Sequence, residues 1–311
     1  MAARKYTLHR TWARQATVGF LGATNPTVWG PFLATFEKRM RELGWIDGAN
    51  IAVEQHWSHG RPDLHPGFAH DFAGREVDVI VTSGTQAVVA AKKEAKTIPI
   101  VFASAGDPVR TKLVKTLKKP GGNVTGLSNG QTGLARRRLD ELRKMVPELK
   151  RLAILANVGS SVIPLEIAKI KKRAKELRIA TVVCDVRKAA DIGPAIKKLR
   201  GKADALYVCT DPFITTHQVA INTAAASAHL PTMHAFREYV DAGGLMSYGP
   251  DFRAMFGKAA DLTDKILRGT KPADLAVKVQ TKCELVINPH TAHALGLRIP
   301  KAVRRRATLV R

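Results

Sequence analysis

The sequence predicts an α/β protein of two doubly wound parallel-sheet lobes with a ligand cleft between them. Three observations carry this expectation. Apolar runs of strand length alternate with amphipathic helical segments from Thr17 onward, the pattern of a parallel sheet covered by helices on both faces. The series breaks at a turn-rich stretch, Lys118 to Ser128, and starts again near Arg151. Strand after strand ends in small polar residues just ahead of a helix, as at Ser83-Gly84-Thr85-Gln86 and Ser104-Ala105-Gly106-Asp107.

The expected strands of the first series are TVGFL, IAVEQ, VDVIV and IPIVF; those of the second are RLAIL, ATVVC, ADALYV and LPTMH. The first helix places Leu33, Phe36, Met40 and Leu43 on one face and stops at Gly44, a residue that takes the left-handed conformation at little cost. In the second series Ile163, Ile167, Ile170, Ala174 and Leu177 have the spacing of a buried helix face, with lysines between them on the outside. After Gly249 one further helix, Phe252 to Leu267, has no strand beside it in sequence. The strand ELVIN and a short helix, Pro289 to Leu295, follow. A helix so placed fits two lobes joined by more than one crossing, which can open and close on a cleft.

In an open parallel sheet, ligands sit beyond the carboxyl ends of the strands. The residues there are the binding candidates: Thr24 and Asn25, then Ser83, Gly84, Thr85 and Gln86, then Ser104 and Asp107. The second series adds Ser160, Asp211 and Phe213. Each group precedes a helix whose first N–H groups are unsatisfied and carry partial positive charge, a setting that suits a carboxylate. Asp107 and Asp211 suit an ammonium. An ordinary helix cap explains any one of these residues alone; the recurrence points to a cleft. Gly243-Gly244 permits a sharp crossing between lobes, which would bring Ser247 and Tyr248 to the ligand; Tyr248 packed within the first lobe is the alternative.

Other functions lack residues. GFLGAT is not G-x-G-x-x-G and no Walker sequence occurs. There is no nucleophile elbow, and no histidine stands beside Asp107 or Asp211 in sequence. No catalytic set, cofactor or metal is expected. Glu238 and Asp241 share a helix face, which capping and solvation explain. Cys184, Cys209 and Cys283 have no metal-ligand spacing and read as reduced core thiols. His56, His59, His65 and His70 cluster without a ligand motif. The 311 residues carry 50 Lys+Arg against 26 Asp+Glu, a net charge of +24. The cationic clusters, among them Arg136-Arg137-Arg138 and Lys171-Lys172-Arg173, are dispersed and lack interleaved aromatics, so they read as solvated faces and no specific nucleic-acid partner is expected. No apolar run reaches a membrane span, and the basic start lacks the apolar stretch of an export signal, so the chain as written reads as cytosolic.

The segments KKPGGNVTGLS, GDPV, REYVDAGGLMSYG, GTKPADLAV and CELVINPHTAHALGLRIP together resemble ABC-transporter substrate-binding proteins of the tryptophan/tyrosine-binding type. The likeness runs in order from about Thr17 to Pro300. It implies a type I periplasmic-binding fold with three hinge crossings. Lobe 1 would be 17–123 plus about 248–278, and lobe 2 would be 124–247 plus about 279–300. A disordered basic segment, 1–16, would precede them and a basic tail, 301–311, would follow. The resemblance further implies a monomeric, non-enzymatic receptor in the periplasm. It would close on an amino acid, aromatic above all, or a related carboxylate, and pass it to an ABC permease. His59 stands where the family often has an acidic residue, so ligand identity is not inherited. The rivals are a regulator on the same lobes, for which 16 residues are too few to form a DNA-binding head, and an enzyme on the same fold.

Overall fold

A computed structural model describes residues 15–310. Residues 1–14 of the expected disordered segment lie outside the described residues, and Ala16 already belongs to the first strand. The chain alternates strand and helix as expected: β1 (Ala16–Gly22), α1 (Pro26–Glu42), β2 (Ile51–Trp57), α2 (His65–Gly74), β3 (Val79–Thr82), α3 (Thr85–Glu94), β4 (Ile100–Ala105) and β5 (Val124–Ser128). It then crosses to α4 (Gln131–Met145), β6 (Arg151–Ala156), α5 (Ile163–Glu176), β7 (Ala180–Asp185), α6 (Ala189–Lys197), β8 (Ala205–Val208), α7 (Pro212–Thr216), α8 (Gln218–Ser227), β9 (Thr232–His234), α9 (Arg237–Asp241) and β10 (Met246–Pro250). Last come α10 (Phe252–Leu267), β11 (Lys278–Val279), β12 (Cys283–Ile287), α11 (Pro289–Ala294), α12 (Lys301–Arg304) and β13 (Ala307–Leu309).

Two sheets result, ordered β11-β5-β4-β3-β1-β2 and β13-β12-β10-β9-β8-β6-β7. All pairings are parallel except β10 with β12. The central strands are mostly apolar and buried on both faces, as parallel strands under helices must be. Asn25 opens α1 by accepting from Val28 N–H at 2.9 Å, and Pro26 follows in the first turn, where its missing N–H costs nothing. Asp251 caps α10 in the same way through Ala254 N–H. α10 lies on α1, with the Phe32 and Phe252 rings 5.1 Å apart, so it belongs to the first lobe.

The structure corrects several boundaries. Residues from 124 were expected in the second lobe with 118–128 as a turn-rich stretch, yet β5 forms there and hydrogen-bonds between β4 and β11 in the first sheet. The first crossing is therefore Asn129-Gly130, the second is at Asp251 and the third spans 280–282. Gly243-Gly244 is no crossing. A Cβ on Gly244 would lie 2.7 Å from the His234 ring and 2.8 Å from the Tyr239 carbonyl, so glycine here permits close packing of α9 on β9 within the second lobe. The expected tail, 301–311, contributes α12 and β13, the latter paired with β12. Arg138 also departs from the solvated cluster assigned to it. It is buried in the second lobe, donating to Glu166 at 3.1 Å and to the Tyr248 carbonyl at 2.8 Å.

Candidate functional site

The carboxyl ends of both sheets face one another across a cavity. From the first lobe, the loop after β3 supplies Ser83 and Gly84, the start of α3 supplies Thr85, the end of β4 supplies Ser104 and the loop after it Gly106. α1 adds Trp29 and Phe32. From the second lobe come Ser160 and Val162 after β6, Thr210 and Asp211 after β8, and Phe236, Glu238 and Tyr239 after β9. Phe252, just past the second crossing, completes an aromatic wall, with ring centroids 6.0 Å from Trp29 and 4.6 Å from Phe236.

Five buried polar atoms of this lining have no protein partner among the described residues: Trp29 Nε1, Thr210 Oγ1, Asp211 Oδ2, Gln218 Oε1 and Glu238 Oε2. Leaving a buried polar atom unsatisfied costs about 1–3 kcal/mol each, so five around one space mark a site built for a polar guest. The set is rich in acceptors. Gln131 adds to it, because both its amide protons are used, by Glu166 at 2.6 Å and the Thr210 carbonyl at 3.0 Å; its oxygen is left as an acceptor. Among the described lining residues there is no Lys, Arg or His. Burial drives the Asp211 carboxyl up to about 6, against the Ile214 N–H, the Asn157 side chain and the Phe213 N–H, which lower it. Burial also drives Glu238 up to about 7, with Asp251 and Asp241 adding repulsion. Both results follow from withholding water from a charge that has no counter-ion.

Donors gather on the opposite side. α3 begins at Thr85 with Gly84 as its cap and no side chain bonding its first N–H groups, so this ten-residue helix presents free N–H and a positive dipole end. The Ser104 hydroxyl lies beside it and accepts from Asn129 Nδ2 at 3.0 Å, which leaves its proton to donate, whereas the Ser83 hydroxyl donates to the Ser104 carbonyl at 3.3 Å. The cavity is thus polarised: N–H and hydroxyl donors on the first lobe, acceptors and carboxylates on the second, and an aromatic wall between.

Of the residues singled out from sequence, Ser83, Gly84, Thr85, Ser104, Ser160 and Asp211 line the cavity. The others do not, for local reasons. Thr24 is fully buried beneath α1, and Asn25 is spent as its cap. Gln86 points along the lobe interface toward the Gly159 carbonyl. Asp107 accepts from the Thr132 hydroxyl across the interface, tying lobe to lobe beside the cavity. Phe213 packs on His217, ring centroids 4.9 Å apart, and beside Gly60 of the first lobe. Ser247 is buried in β10 between β9 and β12. Tyr248 packs in the second lobe, not the first, under the Arg137 guanidinium at 5.8 Å. Sequence reading missed the aromatic wall, because Trp29, Phe32 and Phe252 read as ordinary core. It assigned Glu238 to solvent; a carboxylate in the first turn of a five-residue helix after a buried strand end was the available signal.

The lobes touch closely. A Cβ on Gly106 would lie 2.5 Å from Val162 Cγ2, and one on Gly84 would lie 2.8 Å from Pro212 Cγ, both across the interface. Glycine at these points lets the lobes meet. The Gly106→Ala substitution should therefore weaken ligand affinity by about tenfold, through an overpacking cost of about 1–3 kcal/mol. Its nearest neighbours all belong to the other lobe, so the unliganded melting temperature should hold. Calorimetry paired with thermal unfolding checks this; unchanged affinity would show that these contacts do not accompany binding.

The family model for ABC transporter substrate binding proteins matches residues 33–311. The chain belongs to this family. A curated relative, the tyrosine-binding protein of Clostridioides difficile (strain R20291), is 28% identical over 262 residues, 84% of this chain and 75% of the relative. An ABC domain from Streptococcus pneumonia solved in complex with L-Trp superposes with a TM-score of 0.89 at 24% identity, covering 96% of this chain and all of that one. A Clostridium difficile substrate binding protein with adhesive properties, solved ligand-free and open, gives 0.67 at 25% identity over 95% of this chain and 99% of that one. The contacts of Gly106 and Gly84 across the interface hold the lobes of this substrate-binding protein together.

Proposed function

We propose that the chain is the receptor of an ABC importer, that it closes over one aromatic α-amino acid, and that it delivers this ligand to a membrane permease from the periplasmic side. The observation that carries the reading is the five-atom orphaned polar set facing an aromatic wall in a cavity between two lobes. An α-ammonium matches Asp211 Oδ2, Glu238 Oε2 and the Gln131 and Gln218 oxygens. An α-carboxylate matches the N-terminus of α3 with the Ser104 hydroxyl. The ring fits against Trp29, Phe236 and Phe252, where aromatic pairs add about 0.5–1.5 kcal/mol beyond area burial. The tyrosine-binding relative and the L-Trp-bound neighbour take ligands of this class by name.

The acceptor-rich lobe ranks ligands differently from the sequence alone. An aromatic carboxylate without an amine leaves two carboxylates facing no counter-charge, so it should bind about a hundredfold more weakly than the parent amino acid. Thermal shift and calorimetry with L-tryptophan, L-tyrosine, L-phenylalanine and their des-amino analogues test this. At a ligand concentration of about 100 Kd the amino acids should add about 2.7 kcal/mol of stability, with no product formed. Equal affinity for the des-amino analogues, or turnover of any member, would contradict the reading.

A further inference from the structure

The ligand site leaves the charge of +24 unexplained, and that charge is unevenly placed. The second lobe (131–250 and 283–310) carries 25 Lys+Arg against 12 Asp+Glu; the first (16–130 and 251–282) carries 20 against 14. On the second lobe, α4 and α5 lie side by side and hold ten cations against four acids. All four acids are already engaged. Asp140 pairs with Arg173, and Glu176 with Arg136 and Arg173. Glu141 pairs with Arg137, Lys144 and Arg306, and Glu166 pairs internally with Arg138. Arg143, Lys169, Lys171, Lys172 and Lys175 are exposed and in no ion pair among the described residues. Arg306 joins this face to α12, which adds Arg304 and the adjoining Arg305.

A solvated helix face ordinarily mixes signs, since unlike charges three or four apart stabilise it and like charges repel. Here Lys169, Lys172 and Lys175 follow one another at three-residue steps with no acid between them to relieve the repulsion. Between the two helices runs an open groove lined by Arg137, Arg143, Lys144 and Arg173, with Asp140 as its one acid. The groove has no aromatic lining on which bases would stack, which disfavours single-stranded nucleic acid. The family works beside a bilayer, and no described helix is long and apolar enough to cross one, so a contact made through this face is peripheral.

We infer that the α4–α5 face of the second lobe is a docking surface for an anionic phospholipid bilayer, holding the receptor at the membrane where a transporter takes its ligand. Lysines on flexible stems suit a laterally mobile layer of phosphates, and their attraction decays within a Debye length of the surface. The inference rests on family membership but not on the identity of the ligand. Co-sedimentation of the full chain with vesicles of phosphatidylcholine alone, or with about a third phosphatidylglycerol, tests it. The chain should bind the anionic vesicles, release with salt, and ignore the neutral ones. Each lysine near the surface should count for about fivefold in affinity, so K169E/K171E/K172E/K175E should lose about a hundredfold or more. The matched set K93E/K96E/K118E/K119E, on the first lobe, changes net charge equally and should lose less than about tenfold. Milder K→Q versions of both sets guard against misfolding, and thermal shift with L-tryptophan should be the same for both, which separates this face from the ligand site. Equal losses from the two sets, no binding to anionic vesicles, or tighter binding to a short DNA duplex than to the vesicles would overturn it.

Discussion

Lowering the pH from about 8 to about 5 should weaken binding of an aromatic amino acid by about a thousandfold. Glu238 titrates at about 7 and Asp211 at about 6, both raised by burial, and an ammonium is held best by their ionised forms. Each pH unit below such a pKa costs about tenfold in the binding-competent form. Binding near pH 6 should also release protons, which calorimetry in buffers of different ionisation enthalpy reads directly. The unliganded protein should respond with the opposite sign. Its folded pKa values lie above the unfolded ones, so the native state binds more protons between about pH 4 and 7. Their contribution to stability is fully present below about pH 4 and is lost as pH rises through 6 to 7. Ligand should offset that loss. Glu238→Gln should flatten the pH dependence of affinity; a flat profile in the unaltered protein would remove the carboxylates from the ammonium's site.

Arg138→Met should destabilise the protein by about 3–5 kcal/mol, the typical cost of breaking a buried ion pair from one side. The Arg138 guanidinium reaches Glu166 at 3.1 Å, Tyr207 Oη at 3.3 Å, and the Gln131 and Tyr248 carbonyls. Tyr207 in turn donates to Glu166 at 2.8 Å. Removing the cation strands the carboxylate and a phenol in a site without water. Replacing Glu166 by Leu as well removes the stranded charge, so the double variant should recover part of the loss. Urea unfolding of the single and double variants measures both effects. A single-variant loss below about 1 kcal/mol would mean that solvent reaches this network.

How far the sequence could be read differs between elements for physical reasons. Strand–helix alternation was legible because β1, β3, β4, β6 and β8 are buried on both faces along most of their length and so are mostly apolar. β5 was not, since VTGLS follows Pro120-Gly121-Gly122 and carries its own glycine, so it reads as turn. β13 hid in a basic tail because only its pairing with β12 defines it. At the site, small polar strand ends were visible through their position before helices, and six of them line the cavity. Asn25 and Asp107 share that signature yet act as a cap and an interlobe tie; pattern cannot tell which way a short side chain turns. Trp29, Phe32 and Phe252 were hidden for the converse reason. A ring that lines a cavity and a ring that fills a core occupy the same apolar stripe of a helix, and only the facing lobe distinguishes them.

On the proposed function, the two lobes shut on an aromatic amino acid with its ammonium toward the second lobe. A crystal structure of the protein grown with the tightest-binding amino acid of the panel tests it most directly. The ligand should lie between the lobes, its nitrogen within about 3 Å of Asp211 Oδ2 and Glu238 Oε2. Its carboxylate should lie on the first turn of α3 and its ring against Trp29, Phe236 and Phe252. A ligand bound outside this cavity, or one turned so that its carboxylate faces Glu238, would contradict it.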